Sequence, residues 1–225
     1  MKIAVLTGAG VSAESGLKTF RDSNGLWEGH DVMEVASPQG FAKNPELVFD
    51  FYNQRRKQLL EVSPNAAHLA LAELEDSHEV HIITQNVDDL HERAGSTNVI
   101  HLHGELLKVR SCENSDDIRS WEKDLVLGDV CEAGHQLRPH IVWFGEMVPM
   151  MEPAMDLVAQ SDAVIIIGTS MQVYPAAGLM QYAREGAPIY FIDPNPSIGS
   201  NSQIRVVAEK ATVGVPKIVA ELKRA

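Results

Sequence analysis

The chain has 225 residues, 44% of them hydrophobic, which is enough for one α/β domain with a substantial core. Lys and Arg total 19 against 31 Asp and Glu, a formal charge of -12. That field repels nucleic acid and anionic membranes and favours basic partners such as lysine-rich protein segments. The first apolar run, residues 3–6, is too short for a signal peptide, and no stretch is long enough to span a bilayer. Two cysteines, Cys112 and Cys131, do not make a disulfide framework, so a reducing cytoplasm is expected.

In chain order, the run over 3–7 predicts a strand, followed at once by Gly8-Ala9-Gly10-Val11-Ser12-Ala13-Glu14-Ser15-Gly16. Gly8, Gly10 and Ala13 fit the G-x-G-x-x-G/A spacing of a turn that lets the backbone approach a pyrophosphate. Glycine spacing alone is weak evidence, since such turns are often only turns. Residues 22–63 read as a helical insertion. Within it a helix is expected over 45–60, capped by Asn44 with Pro45 in its first turn. On a helical wheel Leu47, Val48, Phe51, Tyr52 and Leu59 share one arc with Arg55 near its middle, while Glu46, Asp50, Asn53, Gln54 and Lys57 take the other side. An arginine on a buried face needs an anionic partner, whether an internal salt bridge or a bound anion, unless it snorkels to solvent.

Further helices are expected over 66–74, 87–94, 152–160 and 176–185, and further strands over 80–84, 98–101, 163–168 and 188–193. This alternation predicts a Rossmann-like, doubly wound parallel sheet. Residues 106–138 break it and read as a small inserted lobe packed around Trp121, Leu125 and Val126. Three polar motifs follow strands at their C-terminal ends: the glycine corner, Gln85-Asn86-Val87-Asp88, and Gly168-Thr169-Ser170. In open α/β sheets ligands bind there, so the three are expected to share one crevice. His101 and His103 lie two apart and share a face of any unbroken strand, so spacing does not choose between them.

Taken with Phe20-Arg21-Asp22, His101-Leu102-His103-Gly104 and Pro139-His140-Ile141-Val142-Trp143-Phe144-Gly145-Glu146, these ordered motifs strongly resemble the sirtuins, NAD-dependent protein lysine deacylases. The resemblance covers about residue 3 to past residue 193. It implies that Gly8, Ala9, Gly10 and Ser12 hold the pyrophosphate, with Gly168, Thr169 and Ser170 on the same molecule and Phe20 and Arg21 in a cofactor loop. It implies that Gln85 and Asn86 hold the ribose and Asp88 the nicotinamide amide, although Asn86 and Asp88 also suit helix capping. His103 is implied as the general base that activates a ribose hydroxyl after the acyl oxygen has displaced nicotinamide. Ile141, Val142, Phe144, Gly145 and Glu146 are implied to hold the substrate peptide as an added strand. Asp193 and Ala211 match positions near the adenosine. The Phe-Tyr-x-x-Arg segment resembles the class that removes acidic acyl groups, with Tyr52 and Arg55 on the acyl carboxylate and Ala36 leaving room. Desuccinylase and demalonylase activity with weaker deacetylase activity is therefore expected, on acylated lysines of proteins.

The pattern departs in two respects. Asp193 stands where the family often has an asparagine touching the adenosine ribose, a role an aspartate can still fill, and the zinc ligands are incomplete. Sirtuins usually hold zinc with four cysteines. Here only Cys112 and Cys131 stand in that region, with His135 as a third donor and Glu132 or Asp117 as a poor fourth, so zinc is expected to be absent. An NAD-dependent protein ADP-ribosyltransferase and a non-catalytic NAD or acyl-lysine binding module are the alternatives. A dehydrogenase is disfavoured by the lack of a second catalytic domain.

Overall fold

The computed structural model describes residues 1–18, 26–27, 29–171, 174 and 176–224, so the expectations for Phe20 and Arg21 lie outside the described residues. The strands are β1 (Lys2–Thr7), β2 (Leu26–Trp27), β3 (His30–Asp31), β4 (Glu79–Thr84), β5 (Val99–His101), β6 (Gly104–Ser111), β7 (Ile118–Ser120), β8 (Leu137–Ile141), β9 (Ala163–Ile167), β10 (Ile189–Ile192) and β11 (Ile204–Val207). The helices are α1 (Val32–Val35), α2 (Pro38–Lys43), α3 (Pro45–Glu61), α4 (Ala66–Leu74), α5 (Leu90–Ala94), α6 (Met151–Gln160) and α7 (Ala211–Leu222).

A parallel sheet runs in the order β11-β10-β9-β1-β4-β5. Ile3, Val5, Ile82, Ile165 and Ile167 pack on one face against residues of α4 and α7. Ala4, Leu6, Ile83, Val164 and Ile166 pack on the other against Ala154 and Val158 of α6. Burial on both faces is why these strands read as unbroken apolar runs. β1 pairs with β4 on one side and β9 on the other. The strand order therefore reverses at β1, and a crevice opens where the chain leaves the sheet in opposite directions.

Some elements differ from expectation. The helix expected over 87–94 begins at Leu90, because Asp88 Oδ1 accepts the Leu90 N–H and holds the residues before it out of the helix. The segment after 176 is a 3-10 helix, Ala176–Tyr182. β11 and α7 were not anticipated. β11 is a short edge strand with no fully buried residue. α7 contains Gly214 and Pro216, both weak helix formers, and Gly214 is small for a packing reason. A Cβ there would lie 2.7 Å from Ile192 Cγ2.

The lobe is a second, antiparallel sheet, β7-β6-β8. Leu125 sits at its centre with Phe49, Val109, Cys131 and Leu137, and Trp121 packs on the edge. Val126, expected inside, is exposed. The helical wheel of α3 also needs correction. Asn53 is buried, not on the solvent side, and so is Arg56. Asn53 both donates to the Leu125 carbonyl (3.0 Å) and accepts its N–H (2.9 Å), while Arg56 donates to Asn53 Oδ1 (2.7 Å) and the Leu106 carbonyl (3.2 Å). α3 has two partners, a cluster around Trp143 and the lobe, so two of its faces are buried.

Candidate active site

A cleft of about 720 Å³ lies at the switch point. Gly8, Ala9, Gly10, Ser12, Ala36, Tyr52, Arg55, Gln85, Asn86, Asp88, His103, Ile141, Val142, Phe144, Gly145, Glu146, Gly168, Thr169, Ser170, Asp193 and Ala211 all border it. Seven loops, α3 and the start of α7 thus bring residues from nearly the whole chain to one crevice.

The corner glycines are needed first for each other. Gly10 N–H donates to the Gly168 carbonyl at 2.9 Å, and a Cβ on Gly10 would come within 2.6 Å of Gly168 Cα. Gly168 itself holds φ +58, which favours glycine. The N–H groups of Gly8, Gly10 and Ser12 are spent on the Ile167, Gly168 and Ala9 carbonyls. Among the described residues no backbone carbonyl takes the N–H of Ala9, Ala13 or Glu14, all of which border the cleft. These amides are the ones that suit a phosphate.

Ser12 is the hub of a buried network. Its hydroxyl donates to Asp88 Oδ2 at 3.0 Å and accepts from Asn86 Nδ2 at 3.2 Å. His68 Nδ1 accepts the Asn65 N–H, so its Nε2 carries the proton and donates to Ser12 Oγ at 3.4 Å. His91 packs on His68, with ring centroids 4.8 Å apart, and reaches Thr7 Oγ1 at 3.1 Å. Burial raises the Asp88 carboxyl, lowers His91 and lowers His68 to about 4. The sequence reading missed His68, although Asn65-x-x-His68 has the spacing of a capping box.

The unfolded His68 takes up a proton near 6.5, the folded one only near 4, so stability is full above 6.5 and falls as pH drops through that window. Between pH 7.5 and 5.5 His68 accounts for a loss of about 1.4 kcal/mol. Urea unfolding at the two pH values measures this as the part of the slope that His68→Gln removes. An unchanged slope in the variant contradicts it.

The two histidines left open by spacing are separated by the end of β5. His101 is held by Glu92 (Nε2 to Oε1, 2.7 Å) and the Asn86 carbonyl (3.2 Å); burial pulls it down, but Glu92 outweighs this and holds it charged. His103 borders the cleft instead. Its Nδ1 donates to the Gln85 carbonyl at 3.0 Å, which leaves Nε2 as a free lone pair. Burial lowers its pKa, only partly offset by that carbonyl, so the ring is a neutral base at pH 7. Gln85 is steadied by Thr169 Oγ1, at 3.1 Å from Nε2. Asp193 accepts the Asn195 N–H at 2.8 Å, and Ala211 opens α7 beside it at the same border of the cleft.

The 141–146 segment is a pinned turn. Val142 N–H donates to the His103 carbonyl and Phe144 N–H to the Ala36 carbonyl, both at 2.9 Å. Gly145, at φ +91, lets Glu146 N–H return to the Trp143 carbonyl at 3.0 Å. The Glu146 side chain turns into the lobe, where it accepts from Arg138 at 2.7 Å and Arg110 at 3.3 Å. Phe144 is half exposed at the mouth.

At another end of the cleft Tyr52 is fully buried, Arg55 is half-buried, and Ala36 is small and 3% exposed. The Arg55 guanidinium lies 4.3 Å from the Trp27 ring centroid and 5.7 Å from that of Phe51. Burial pushes the Tyr52 phenol up, so it stays protonated. In the lobe Cys112 is exposed and Cys131 buried, donating to Ser111 Oγ at 3.8 Å. Asp117 is tied to Arg119 at 2.8 Å. Among the described residues no group of three His, Cys, Asp or Glu side chains is placed to hold a metal.

A parallel sheet with a glycine corner at its switch point and a neutral imidazole facing the cleft defines a dinucleotide-binding enzyme scaffold. The chain belongs to the Sir2 family, the sirtuins, whose description matches residues 8–175. It is 64% identical over 192 residues to an NAD-dependent protein deacylase of Helicobacter pylori, covering 85% of this chain and 84% of the relative. A protein of the same name from Bacteroides thetaiotaomicron is 51% identical over 225 residues, covering 96% and 95%. Among solved structures, a Sir2 homologue in complex with NAD superimposes with a TM-score of 0.88 at 41% identity, covering 99% of this chain and 89% of that one.

Proposed function

We propose that this chain is a cytoplasmic NAD-dependent protein lysine deacylase that removes succinyl and malonyl groups, with weaker activity on acetyl-lysine. The observation that carries the acyl preference is the placement of Tyr52 and Arg55 side by side on the cleft that also holds His103. The names of the relatives support the deacylase reaction. NAD is consumed as co-substrate and supplies the ADP-ribose that accepts the acyl group.

The residues divide the work. The N–H groups of Ala9, Ala13 and Glu14 face the diphosphate, Thr169 and Gln85 order the ribose side, and Asp88, kept in place by Ser12, accepts from the nicotinamide amide. His103 Nε2 takes a proton from a ribose hydroxyl and keeps it within the cleft. Ile141, Val142, Phe144, Gly145 and Glu146 hold the lysine-bearing segment of the substrate protein, with Phe144 at the apolar mouth. A chain of charge -12 attracts lysine-rich segments. At the pocket end Arg55 offers a fork of donors and Tyr52 a hydroxyl to the acyl carboxylate, shielded from water, where a charge-assisted bond contributes about 1.5–3 kcal/mol.

The test is Arg55→Met, assayed with matched succinyl- and acetyl-lysine peptides at saturating NAD. The expected result is a loss of kcat/KM of about tenfold or more for succinyl with little change for acetyl. Equal loss with both peptides overturns the carboxylate role. Appearance of labelled protein in place of O-acyl-ADP-ribose would favour the ADP-ribosyltransferase.

A further inference from the structure

Tyr52 does not stand alone at the end of the pocket. The indole N–H of Trp143 donates to Tyr52 Oη at 3.0 Å, in a site shut off from water. An indole nitrogen can only donate. Tyr52 Oη is therefore the acceptor in that bond, and its own proton is left to point elsewhere. Among the described residues no group accepts that proton.

The indole is itself gripped. The Arg138 guanidinium lies 3.4 Å from its ring centroid, and Phe41 packs at 5.2 Å. The backbone N–H of Trp143 donates to Glu146 Oε2 at 2.8 Å. Arg138 binds Glu146 through both carboxylate oxygens, at 2.7 and 3.1 Å, and also donates to the Ile141 carbonyl at 3.0 Å. Arg110 adds a third contact to the carboxylate at 3.3 Å. Trp143 is 2% exposed and Arg138 9%. Strands β6 and β8 of the lobe thus fix the angle of the indole, and the indole fixes the hydroxyl.

We infer that Trp143 is a positioning residue that sets the polarity of the acyl pocket. By holding Tyr52 as an acceptor on one side, it commits the Tyr52 O–H to donate toward the acyl terminus. The pocket then selects an acyl group ending in an acceptor-only carboxylate over one ending in a methyl. The inference rests on the acidic-acyl reading above and names the device that enforces it. It also gives Glu146, Arg138 and Arg110 a role: they couple the lobe to substrate choice.

Trp143→Phe removes the N–H and keeps a ring under Arg138. KM and kcat are measured for succinyl- and acetyl-lysine peptides in the parent protein, Trp143→Phe, Tyr52→Phe and the double variant. The expected result for Trp143→Phe is a rise of about fivefold in succinyl KM, with kcat and both acetyl parameters within about twofold. The double variant is expected to be no worse than Tyr52→Phe, because the tryptophan acts through the tyrosine. An unchanged succinyl KM, a parallel loss on both peptides, or additive losses in the double variant overturns the inference. Should Trp143→Phe not fold, Tyr52→Phe reads the same bond with Trp143 in place. The indole NH resonance of Trp143 must then shift, and a resonance that does not move overturns the inference. If Arg55→Met loses succinyl turnover selectively while Trp143→Phe behaves as the parent, the tryptophan assignment alone fails. If the parent shows no succinyl activity, both fall.

Discussion

Replacing His103 by asparagine lowers kcat for deacylation by about 10²–10⁴-fold and leaves NAD affinity within a few-fold. The reason is local. His103 Nδ1 is committed to the Gln85 carbonyl, so Nε2 is the lone pair turned to the cleft. Asparagine can keep a hydrogen bond to that carbonyl but offers no base. In the parent protein the acid limb of the kcat/KM profile lies below the ordinary imidazole range, because burial lowers the His103 pKa. Activity is therefore flat through neutral pH and falls only on the acid side, where the ring takes up its proton. Steady-state assays across pH, with calorimetric titration of NAD into both proteins, check this. An asparagine variant with parental kcat, or a limb above the ordinary imidazole value, contradicts it.

Gly10→Ala destabilises the protein by about 1–3 kcal/mol and weakens NAD binding by tenfold or more. The added Cβ would stand 2.6 Å from Gly168 Cα and 2.8 Å from the Gly168 carbonyl oxygen, and neither neighbour is a side chain that can swing away. The loops after β1 and β9 must part, breaking the 2.9 Å bond that joins them at the floor of the cleft. Gly178→Ala is the control, since nothing lies within 4 Å of a Cβ there. Thermal unfolding and NAD titration of both variants check the contrast. Equal behaviour of the two would show that the corner is not held by this contact.

The parallel sheet is legible in the sequence because both of its faces are buried. Ile165, Ile166 and Ile167 are apolar in succession, and only a two-sided sheet makes use of that. The cleft is legible because Gly8-Ala9-Gly10, Gln85-Asn86 and Gly168-Thr169 each stand where a strand ends. The choice of His103 over His101 is not legible from spacing, since it depends on β5 ending and on Glu92 reaching one ring but not the other. α3 shows a further limit. A single-faced wheel places Arg55 inward and Asn53 outward, whereas the helix is clamped on two sides and buries Arg56 and Asn53 against backbone groups of the lobe. Backbone partners far along the chain leave no periodic signal. The pairing of Trp143 with Tyr52, 91 positions apart, is of the same kind.

The identity of the acyl product decides what the pocket selects. The most direct measurement is mass spectrometry of the products when the purified protein is incubated with NAD and matched succinyl- and acetyl-lysine peptides. O-succinyl-ADP-ribose and nicotinamide, formed faster than the acetyl counterpart and lost in His103→Asn, is the predicted result. Turnover of the acetyl peptide alone, or ADP-ribose attached to protein with no O-acyl-ADP-ribose, would contradict it.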